Sequence, residues 1–585
     1  MNRKFNEMKK LISLFSIVFL SLWVFGQWVS PGSGTLYTLS SLPSVAPGAV
    51  SSPESGVYQI SQNLTLSAGD TLLLESSAAR VSVGDNITIT ILGTLASEAR
   101  SGRLLFTGDS SGTSPFELRL DNAATARISQ VHFQHGYQLF LYNAGGVEIT
   151  GCEFSGFRNS AINLMNSSPI IQNCYFHHNQ KAAISSAVNT NCSPKILDNV
   201  FYNNDLSNAN VPQINLGPGA ADTILIVGNR IEGVAQTMSG GIGVMSLGGG
   251  STRLTVSGNH ILHNRYGYTQ NGSNIFAIIT DNIIEHNDLE TTPNNGGSGI
   301  SIYGSGTSCG AKIRRNLIHD NLWGVTAIYY HSIDMGTAED PGGNVLYHNG
   351  NSNVEYELYN NSGCDMNAVG NYWGDNTLSH AEDVIYHQND NSSYGLVTFS
   401  PILKLEPEFL SFRILQENNP ELFQDLLFDV AEGSDTIFAV LHSDGVHNLP
   451  EMLAPTIELP SGVACEPGPS EPQDFSSPVT YTLTTPHGTS RTYVAAIVTA
   501  GGVEYFEEMS VSLFPNPVTG DCFTLRNGQG GTVKVEIRSL TGQLVRTAQR
   551  AGVLLSVSTA GLEKGVYLVT IIKENQRKTV RVVNL

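Results

Sequence analysis

The chain has 585 residues, more than one ordinary globular domain holds, and its length alone allows about four domains. Only 14% of the residues are charged and 59 are glycine, which suits a stacked β architecture better than a helical protein. The formal net charge of −20 argues against a nucleic-acid partner, because phosphate binding requires clustered Lys and Arg.

Residues 1–26 are expected to form a cleaved signal peptide. Their basic start precedes the apolar run LISLFSIVFLSLWVF, which is shorter than the roughly 20 residues of a membrane-spanning helix. Val24 and Gly26 provide a suitable cleavage site, and an uncleaved anchor is the alternative. We therefore expect no transmembrane segment in the mature chain. Residues 27–57 are rich in Ser, Gly and Pro and are expected to form an N-terminal segment that precedes the strands.

A short pattern recurs from about residue 130 to residue 376. It consists of Asn, any residue, a large apolar residue, two more residues and a second Asn, and its copies start 21 to 34 residues apart. The first position is occupied by Cys152 and Cys174 in two early copies and by Asn in seven later ones: Asn199, Asn229, Asn259, Asn282, Asn316, Asn344 and Asn371.

This period, filled by strand-like runs such as IFAIITDN (275–282), indicates a β-solenoid. Stacked coils place equivalent residues about 4.8 Å apart, so the asparagines are expected to form a ladder. Asn suits such a corner because it tolerates left-handed backbone angles and its amide can bond to the next coil.

On these residues the sequence resembles the right-handed parallel β-helix family, which has the pectin-lyase-like fold. The motif GNYWGDN (370–376) is similar to a last-coil form of that family. The resemblance implies a parallel β-helix over residues 58–400, and it is specific for fold rather than for activity.

The seven cysteines form neither a CxxC motif nor a Cys/His metal spacing, so we expect no metal site from them. Cys152 and Cys174 occupy the ladder position in neighbouring coils. A disulfide between them is one possibility. Unpaired stacking is favoured, because stacked Cβ atoms lie near 5 Å apart rather than the usual ~3.8 Å.

Two small β-sandwich domains are predicted after the helix, which makes the whole chain all-β. Residues 401–508 contain strand-like runs at sandwich spacing and resemble the Ig-like modules of bacterial surface proteins. Residues 509–585 contain FPNP, SLTGQLV, LEKGVYLV and a basic KTVRVV end, and they resemble the C-terminal sorting domain of type IX secretion substrates. That resemblance implies a partner, the type IX machinery, and a protein that is secreted or attached to the outer-membrane surface.

The sequence holds only a weak set of catalytic candidates. Parallel β-helices commonly bind or cleave long acidic sugars, and a uronate lyase needs a base together with a cation that neutralises the substrate carboxylate. Lys312 and Arg314 should share one strand face, and His331, or His263 with Arg265 and Tyr266, is expected near them if the coils align. The usual alternative is that such basic residues are simply solvated.

Aromatic and acidic side chains supply the binding candidates. Trp323, Tyr329 and Tyr330 are candidates for carbohydrate stacking, with core or corner packing as the alternative. Calcium is considered because loop acids are its ordinary ligands, although they follow no known loop spacing. These acids are Asp281, Asp288, Glu290, Asp334, Glu339 and Asp340.

Two hypotheses about function follow. The favoured one is a secreted or cell-surface β-helix protein that binds polysaccharide or other surface partners without catalysis and requires no cofactor. The alternative is a polysaccharide lyase acting on an acidic uronate glycan. An outer sheet lined only by Ser, Thr and Asn would count against the lyase.

Overall fold

The structure is a computed structural model that describes residues 27–584, except 248–250, 305–307, 331, 431–433, 443–448, 501–510, 517, 519, 528–529, 540–542 and 574–575. The expected signal peptide lies outside the described residues. Among the residues that are described, no helix is long and apolar enough to cross a membrane.

The first two thirds of the chain wind into a solenoid in which each coil contributes one strand to each of three 14-stranded sheets, here called A, B and C. Sheet A comprises Gln27–Val29, Asn63–Leu66, Thr88–Ile91, Glu117–Asp121, Gln138–Tyr142, Ile162–Met165, Ile184–Ser186, Ile214–Leu216, Ile242–Ser246, Tyr268–Gly272, Ser298–Gly304, Trp323–Ile328, Leu358–Asn361 and Ile385–Tyr386. Sheet B comprises Leu36–Thr38, Thr71–Leu74, Thr94–Ser97, Thr125–Ser129, Val147–Thr150, Ile170–Gln172, Lys195–Leu197, Ile224–Val227, Thr252–Ser257, Ile275–Thr280, Gly310–Arg314, Ser332–Asp334, Met366–Asn367 and Val397–Thr398. Sheet C comprises Val50–Glu54, Val57–Ile60, Arg80–Val83, Leu104–Thr107, Val131–Gln134, Glu153–Ser155, Tyr175–His177, Val200–Tyr202, Arg230–Glu232, His260–Leu262, Ile283–Glu285, Leu317–His319, Val345–Tyr347 and Tyr372–Trp373.

Neighbouring strands within these sheets run parallel, except for the antiparallel pair Val50–Glu54 and Val57–Ile60 that begins sheet C. The solenoid starts earlier than residue 58, the expected boundary, because residues 27–54 already supply the first strand of each sheet. Short additional elements are the helices Leu42–Val45 and Leu378–Val384, the 3₁₀ helix Pro293–Asn295, and a hairpin of Gly350–Asn351 with Val354–Glu355.

The apolar residue of the repeat points into the solenoid from sheet C. In successive coils Phe133, Phe154, Phe176 and Phe201 stack with ring centroids 4.9–5.2 Å apart. Later coils replace them with isoleucine or leucine, and Trp373 is fully buried in the same column. Burial of such large apolar side chains stabilises the fold by roughly 1.5–3 kcal/mol each.

The first asparagines of the repeat form a continuous buried ladder at the turn from sheet B to sheet C. From Asn229 onward, each Oδ1 accepts from both the backbone N and the Nδ2 of the ladder asparagine one coil earlier, whereas Asn199 Oδ1 accepts from the backbone N of Cys174. Asn229 Nδ2, for example, donates to Asn259 Oδ1 at 2.9 Å, and Asn259 Nδ2 donates to Asn282 Oδ1 at 2.9 Å. Every amide also donates to a backbone carbonyl, so no coil leaves this buried turn unsatisfied.

The left-handed backbone angle lies one residue before the position we expected. Asp198, Gly228, Gly258, Asp281 and Arg315 have positive φ, whereas the ladder asparagines that follow them do not. The reason is that the ladder side chain must point inward to reach the next coil, so the preceding, outward residue makes the sharp bend. Asp and Gly tolerate that bend well, and Arg315 shows that it is not restricted to them.

The second asparagines of the repeat form another buried ladder at the turn from sheet C to sheet A. It runs from Asn179 to Asn349, and Gln213 fills the coil in which Val234 replaces the asparagine. At its far end Glu357 is fully buried and accepts from the N and Nδ2 of Asn349 at 3.0 and 2.6 Å. Burial raises the pKa of Glu357 to about 8, so this carboxyl is mostly protonated at neutral pH.

Cys152 and Cys174 are buried free thiols, as the favoured expectation of unpaired stacking required.

Two small β domains follow the solenoid. The first contains a sheet of Leu426–Leu427, Ser411–Ile414 and Thr456–Glu458 and a sheet of Thr436–His442, Ser490–Ala500, Val479–Thr484 and Ala464–Glu466. The second contains a sheet of Val511–Phe514, Cys522–Asn527 and Leu554–Ser558 and a sheet of Leu544–Ala551, Thr532–Ser539, Gly565–Lys573 and Gln576–Asn584.

Candidate functional site

The outer face of sheet A carries a long row of uncharged polar side chains. Strand register places one residue per coil in the row, and the last two residues are aromatic. In order they are Asn163, Ser185, Asn215, Gly243, Thr269, Ser301, Thr326, Tyr359 and Tyr386. None of the nine is an Asp, Glu, Lys or Arg. This stretch of sheet A offers no charged partner for a uronate; further towards the N-terminus the same row continues through Phe140 to Arg119.

A groove of 510 Å³ lies over the second half of this row, within the range of roughly 300–1,000 Å³ that is typical of ligand sites. The strands Tyr268–Gly272, Ser298–Gly304 and Trp323–Ile328 form its floor. The wall comes from the turns between sheets C and A, which contribute Arg265, Tyr266 and residues 293–296.

Aromatic rings close one end of the groove. The Trp323 indole is half-buried, donates from Nε1 to Pro293 O at 2.9 Å, and lies 4.7 Å from the Tyr356 ring and 5.3 Å from the Tyr359 ring. Tyr359 in turn stacks on Tyr386 at 4.8 Å with an interplanar angle of 2°. These rings form a rigid, partly exposed aromatic platform beside hydroxyl and amide groups.

The groove is almost uncharged. Of the described residues that line it, Arg265 is the only Asp, Glu, Lys or Arg, and its guanidinium donates hydrogen bonds to Asn210 Oδ1 and Asn295 O. Burial raises the pKa of the neighbouring Tyr266 to about 12, so its phenol stays protonated and is a poor general base at neutral pH.

Lys312 and Arg314 share the outer face of one strand, as predicted, but that strand belongs to sheet B and not to the groove. Lys312 Nζ lies 2.7 Å from Asp340 Oδ2. Arg314 is 3% exposed and pairs with Asp334 at 2.7 Å and Asp340 at 3.0 Å. The structure therefore does not bring the pair together with Arg265 and Tyr266. His331 lies outside the described residues.

The three aromatic binding candidates have different positions. Trp323 lines the groove. Tyr329 is 66% exposed at a corner and contacts the groove residue Tyr303 with ring centroids 6.1 Å apart. Tyr330 is buried in the core, with its hydroxyl donating to Cys364 O at 2.7 Å, and takes no part in the groove.

Several acids proposed for calcium have other partners. Asp334 and Asp340 bind Arg314, Asp281 binds Arg315 at 2.7 Å, and Glu290 accepts from Thr292 N at 2.9 Å.

Sequence reasoning missed the groove residues Ser301, Thr326 and Tyr359. The available signal was strand alternation, which places them on the outward face once the coil register is known.

Family models match four parts of the chain. Residues 77–213 match the right handed beta helix region, residues 250–378 a protein of unknown function (DUF1565), residues 430–497 the SGBP N-terminal family, and residues 512–584 the secretion system C-terminal sorting domain. The comparison with curated proteins found no match.

Solved structures with some likeness include the periplasmic alginate epimerase AlgG, at 11% identity over 63% of this chain and 82% of that one, with a TM-score of 0.39. A putative glycoside hydrolase from Bacteroides thetaiotaomicron is 12% identical over 30% and 82% of the two chains, with a TM-score of 0.14. The tailspike gp49 of Acinetobacter baumannii bacteriophage Fri1, a capsular polysaccharide depolymerase, is 8% identical over 95% and 78%, with a TM-score of 0.25. Likeness at this level says nothing about the activity of this chain.

The three parallel sheets and the family matches define a right-handed parallel β-helix protein with a C-terminal secretion sorting domain. The sorting domain is of the type IX class, and the protein is secreted or attached to the cell surface.

Proposed function

We propose that this protein binds a neutral polysaccharide in the groove on sheet A and does not cleave it. The observation that carries the proposal is the combination of an aromatic platform, formed by Trp323, Tyr359 and Tyr386, with an adjoining row of Ser, Thr and Asn side chains. Sugar rings offer apolar C–H faces that pack on aromatic rings and hydroxyls that bond to such polar groups.

The charge distribution favours a neutral glycan over a uronate. A polymer with one carboxylate per sugar needs repeated cationic partners, whereas the described lining offers only Arg265, which already has protein acceptors. The net charge of −20 also repels a polyanion at long range.

Two features outside the groove agree with a surface glycan-binding role. Residues 430–497 match the SGBP N-terminal family, whose members are associated with glycan binding at the cell surface. The sorting domain supports export by type IX secretion to the place where such glycans are met. We infer that the type IX machinery is the partner of residues 509–585.

The rival function is a lyase, and one observation favours it: Arg265 and Tyr266 line the same groove. A cation beside a phenol resembles the pair that neutralises and deprotonates a uronate. The high pKa of Tyr266 disfavours it as the base, and Lys312 and Arg314 lie on another sheet.

The test uses the full purified chain and a panel of neutral glycans (glucans, mannans and xylans) and acidic ones (pectate and alginate). Affinity electrophoresis measures binding, and ultraviolet absorbance detects unsaturated uronate. We expect retardation by at least one neutral glycan, without product from any glycan. Trp323→Ala and Tyr359→Ala should each weaken binding about tenfold, because an aromatic contact contributes roughly 1.4 kcal/mol.

The matched control is Phe276→Ala, which removes an aromatic ring that is 44% exposed on sheet B. It should bind like the wild type. Equal loss in all three variants, or binding to acidic glycans alone, would contradict the proposal.

A further inference from the structure

The outer face of sheet C carries a cluster of two histidines and one glutamate that lies apart from the groove. His132, Glu153 and His177 come from three consecutive strands, Val131–Gln134, Glu153–Ser155 and Tyr175–His177. Register places Glu153 directly beside His132, and His177 lies one coil further and two residues along. Rigid neighbouring strands therefore hold all three side chains on one face.

The three side chains converge on one point. Glu153 Oε1 lies 3.4 Å from His132 Nε2 and 3.0 Å from His177 Nε2, and all three ligand atoms lie within 4.8 Å of one another. Ligands about 2.1 Å from a zinc ion are separated by roughly 3.0–3.4 Å in octahedral or tetrahedral geometry. The two separations to the carboxylate lie in that range. His132 Nε2 also lies 2.8 Å from Ser155 Oγ, a hydrogen bond that a bound ion would replace.

Surrounding groups hold the cluster in place. The Tyr175 ring stacks on His177 with centroids 4.3 Å apart, and His177 Nδ1 lies 2.9 Å from His178 Nδ1. The second oxygen of Glu153 pairs with Arg103, which leaves Oε1 facing the two imidazoles. The three side chains are only 17–21% exposed, but their face remains open to solvent.

A similar group further along the same sheet lacks this convergence. Glu285 also lies between two histidines, but His260 Nε2 approaches Oε1 at 2.6 Å whereas His319 Nε2 approaches Oε2 at 3.2 Å. His319 Nδ1 is in addition bonded to Asp320 at 2.7 Å. Each histidine there faces its own carboxylate oxygen, so the two imidazoles do not meet at a single oxygen as they do at Glu153. This second group is therefore a natural control.

We propose that His132, Glu153 and His177 bind a divalent transition metal ion, with zinc as the best fit. Imidazole nitrogen and carboxylate oxygen are common zinc ligands, whereas calcium and magnesium prefer all-oxygen sites. Three protein ligands leave at least one coordination position open, so the bound ion can take a water molecule or a ligand from solution. The spacing of 21 and 24 residues between the ligands explains why no short motif reveals the site.

The experiment is isothermal titration of untagged, full-length protein with zinc chloride after treatment with a chelator and dialysis. We expect about one additional zinc ion per chain compared with the double variant His132→Ala/His177→Ala. Glu153→Gln keeps the shape of the side chain but loses the charge, and it should weaken binding at least about tenfold. His260→Ala, in the Glu285 group, should bind like the wild type.

Cobalt supplies an independent readout, because a four- or five-coordinate Co²⁺ ion held by two imidazoles and a carboxylate absorbs more strongly, and at longer visible wavelengths, than aqueous Co²⁺. The wild type and His260→Ala should show this spectrum at the same cobalt concentration, and Glu153→Gln should need at least about ten times more cobalt to reach it. Circular dichroism checks that each variant is folded. Equal zinc stoichiometry and affinity in the wild type, the double variant and Glu153→Gln would overturn the proposal, and so would a cobalt spectrum that is the same in all of them.

Discussion

Gln213 Nε2 donates to Asn264 Oδ1 at 2.9 Å, across 51 residues of chain. The Oε1 of the same amide accepts from Asn204 Nδ2 at 2.9 Å. Gln213 therefore connects two parts of the second ladder across the coil in which the exposed Val234 replaces the asparagine. One long side chain from an insertion keeps a buried row of hydrogen bonds continuous.

Replacing Gln213 by Ala should therefore destabilise the solenoid. The change leaves Asn264 Oδ1 without this donor, and each unsatisfied buried polar group costs about 1–3 kcal/mol. Urea denaturation measures the free energy of unfolding, with Gln180→Ala, an exposed residue of the same region, as the control. A Gln213→Ala variant within about 0.5 kcal/mol of the wild type, the usual range for surface changes, would contradict the bridging role.

Asn282→Asp, in the first ladder, should destabilise the protein much more than Asn271→Asp on the outer surface. The Nδ2 of Asn282 donates to three acceptors, Val256 O, Thr280 O and Asn316 Oδ1. A carboxylate of the same shape would repel all three, so unfolding should become easier by more than about 3 kcal/mol. Asn271→Asp, which lies on the outer face of sheet A, should cost under about 1 kcal/mol. Comparable losses in the two variants would show that the ladder is not a special stabilising feature.

Glu357 predicts a pH dependence of stability. Its pKa is about 8 in the folded protein against the ordinary value of 4.5, so between these values the folded state retains a proton that the unfolded state loses. Stability should thus fall as pH rises from about 5 to 8, by up to about 1.4 kcal/mol per pH unit. The Glu357→Gln variant has no carboxyl group to ionise at this position, so it should lack this pH-dependent part of the unfolding free energy. The check is the difference between the two proteins in unfolding free energy at pH 5 and pH 8; a difference that does not change with pH would be inconsistent with the buried carboxyl.

Arg314 and Lys312 should affect stability and not glycan binding. Arg314→Ala removes a buried guanidinium with two carboxylate partners and should cost about 1.5–3 kcal/mol, the value of a hydrogen bond to a charged group. Lys312→Ala removes one exposed ion pair and should cost under about 1 kcal/mol. Glycan-binding and product assays on both variants test the alternative that the protein is a lyase with its site at Lys312 and Arg314. If the wild type cleaves a glycan and folded Lys312→Ala does not, the reaction takes place on sheet B.

The periodic sequence was enough to predict the fold. The spacing of Asn199, Asn229 and Asn259 predicted stacked coils. In a solenoid, equivalent positions of successive coils have the same surroundings, so a buried asparagine recurs once per coil. The bridge by Gln213 could not be predicted in this way, since it comes from an insertion with no fixed place in the repeat. The left-handed residue was expected one position too late, because a turn pattern alone does not tell which side chain points inward.

The groove was harder to predict than the ladders. Ser301 and Thr326 lie in strands whose outward residues have no period of their own, and they become a row only through the register between coils. Tyr329 and Tyr330 are adjacent, yet one is exposed and the other buried, because the chain turns between sheets at that point. From the sequence alone, Tyr329 and Tyr330 are equally good candidates for a ligand contact. The position of the turn decides which of the two is exposed.

The central claim is binding of a neutral glycan without cleavage. Its most direct test is titration of the full chain with the neutral glycan that retards it most, in parallel for the wild type, Trp323→Ala and Phe276→Ala, with product measured in the same samples. The account predicts saturable binding, about tenfold weaker binding for Trp323→Ala and not for Phe276→Ala, and unchanged glycan length. Glycan shortened by the wild type, or equal affinity in all three proteins, would contradict it.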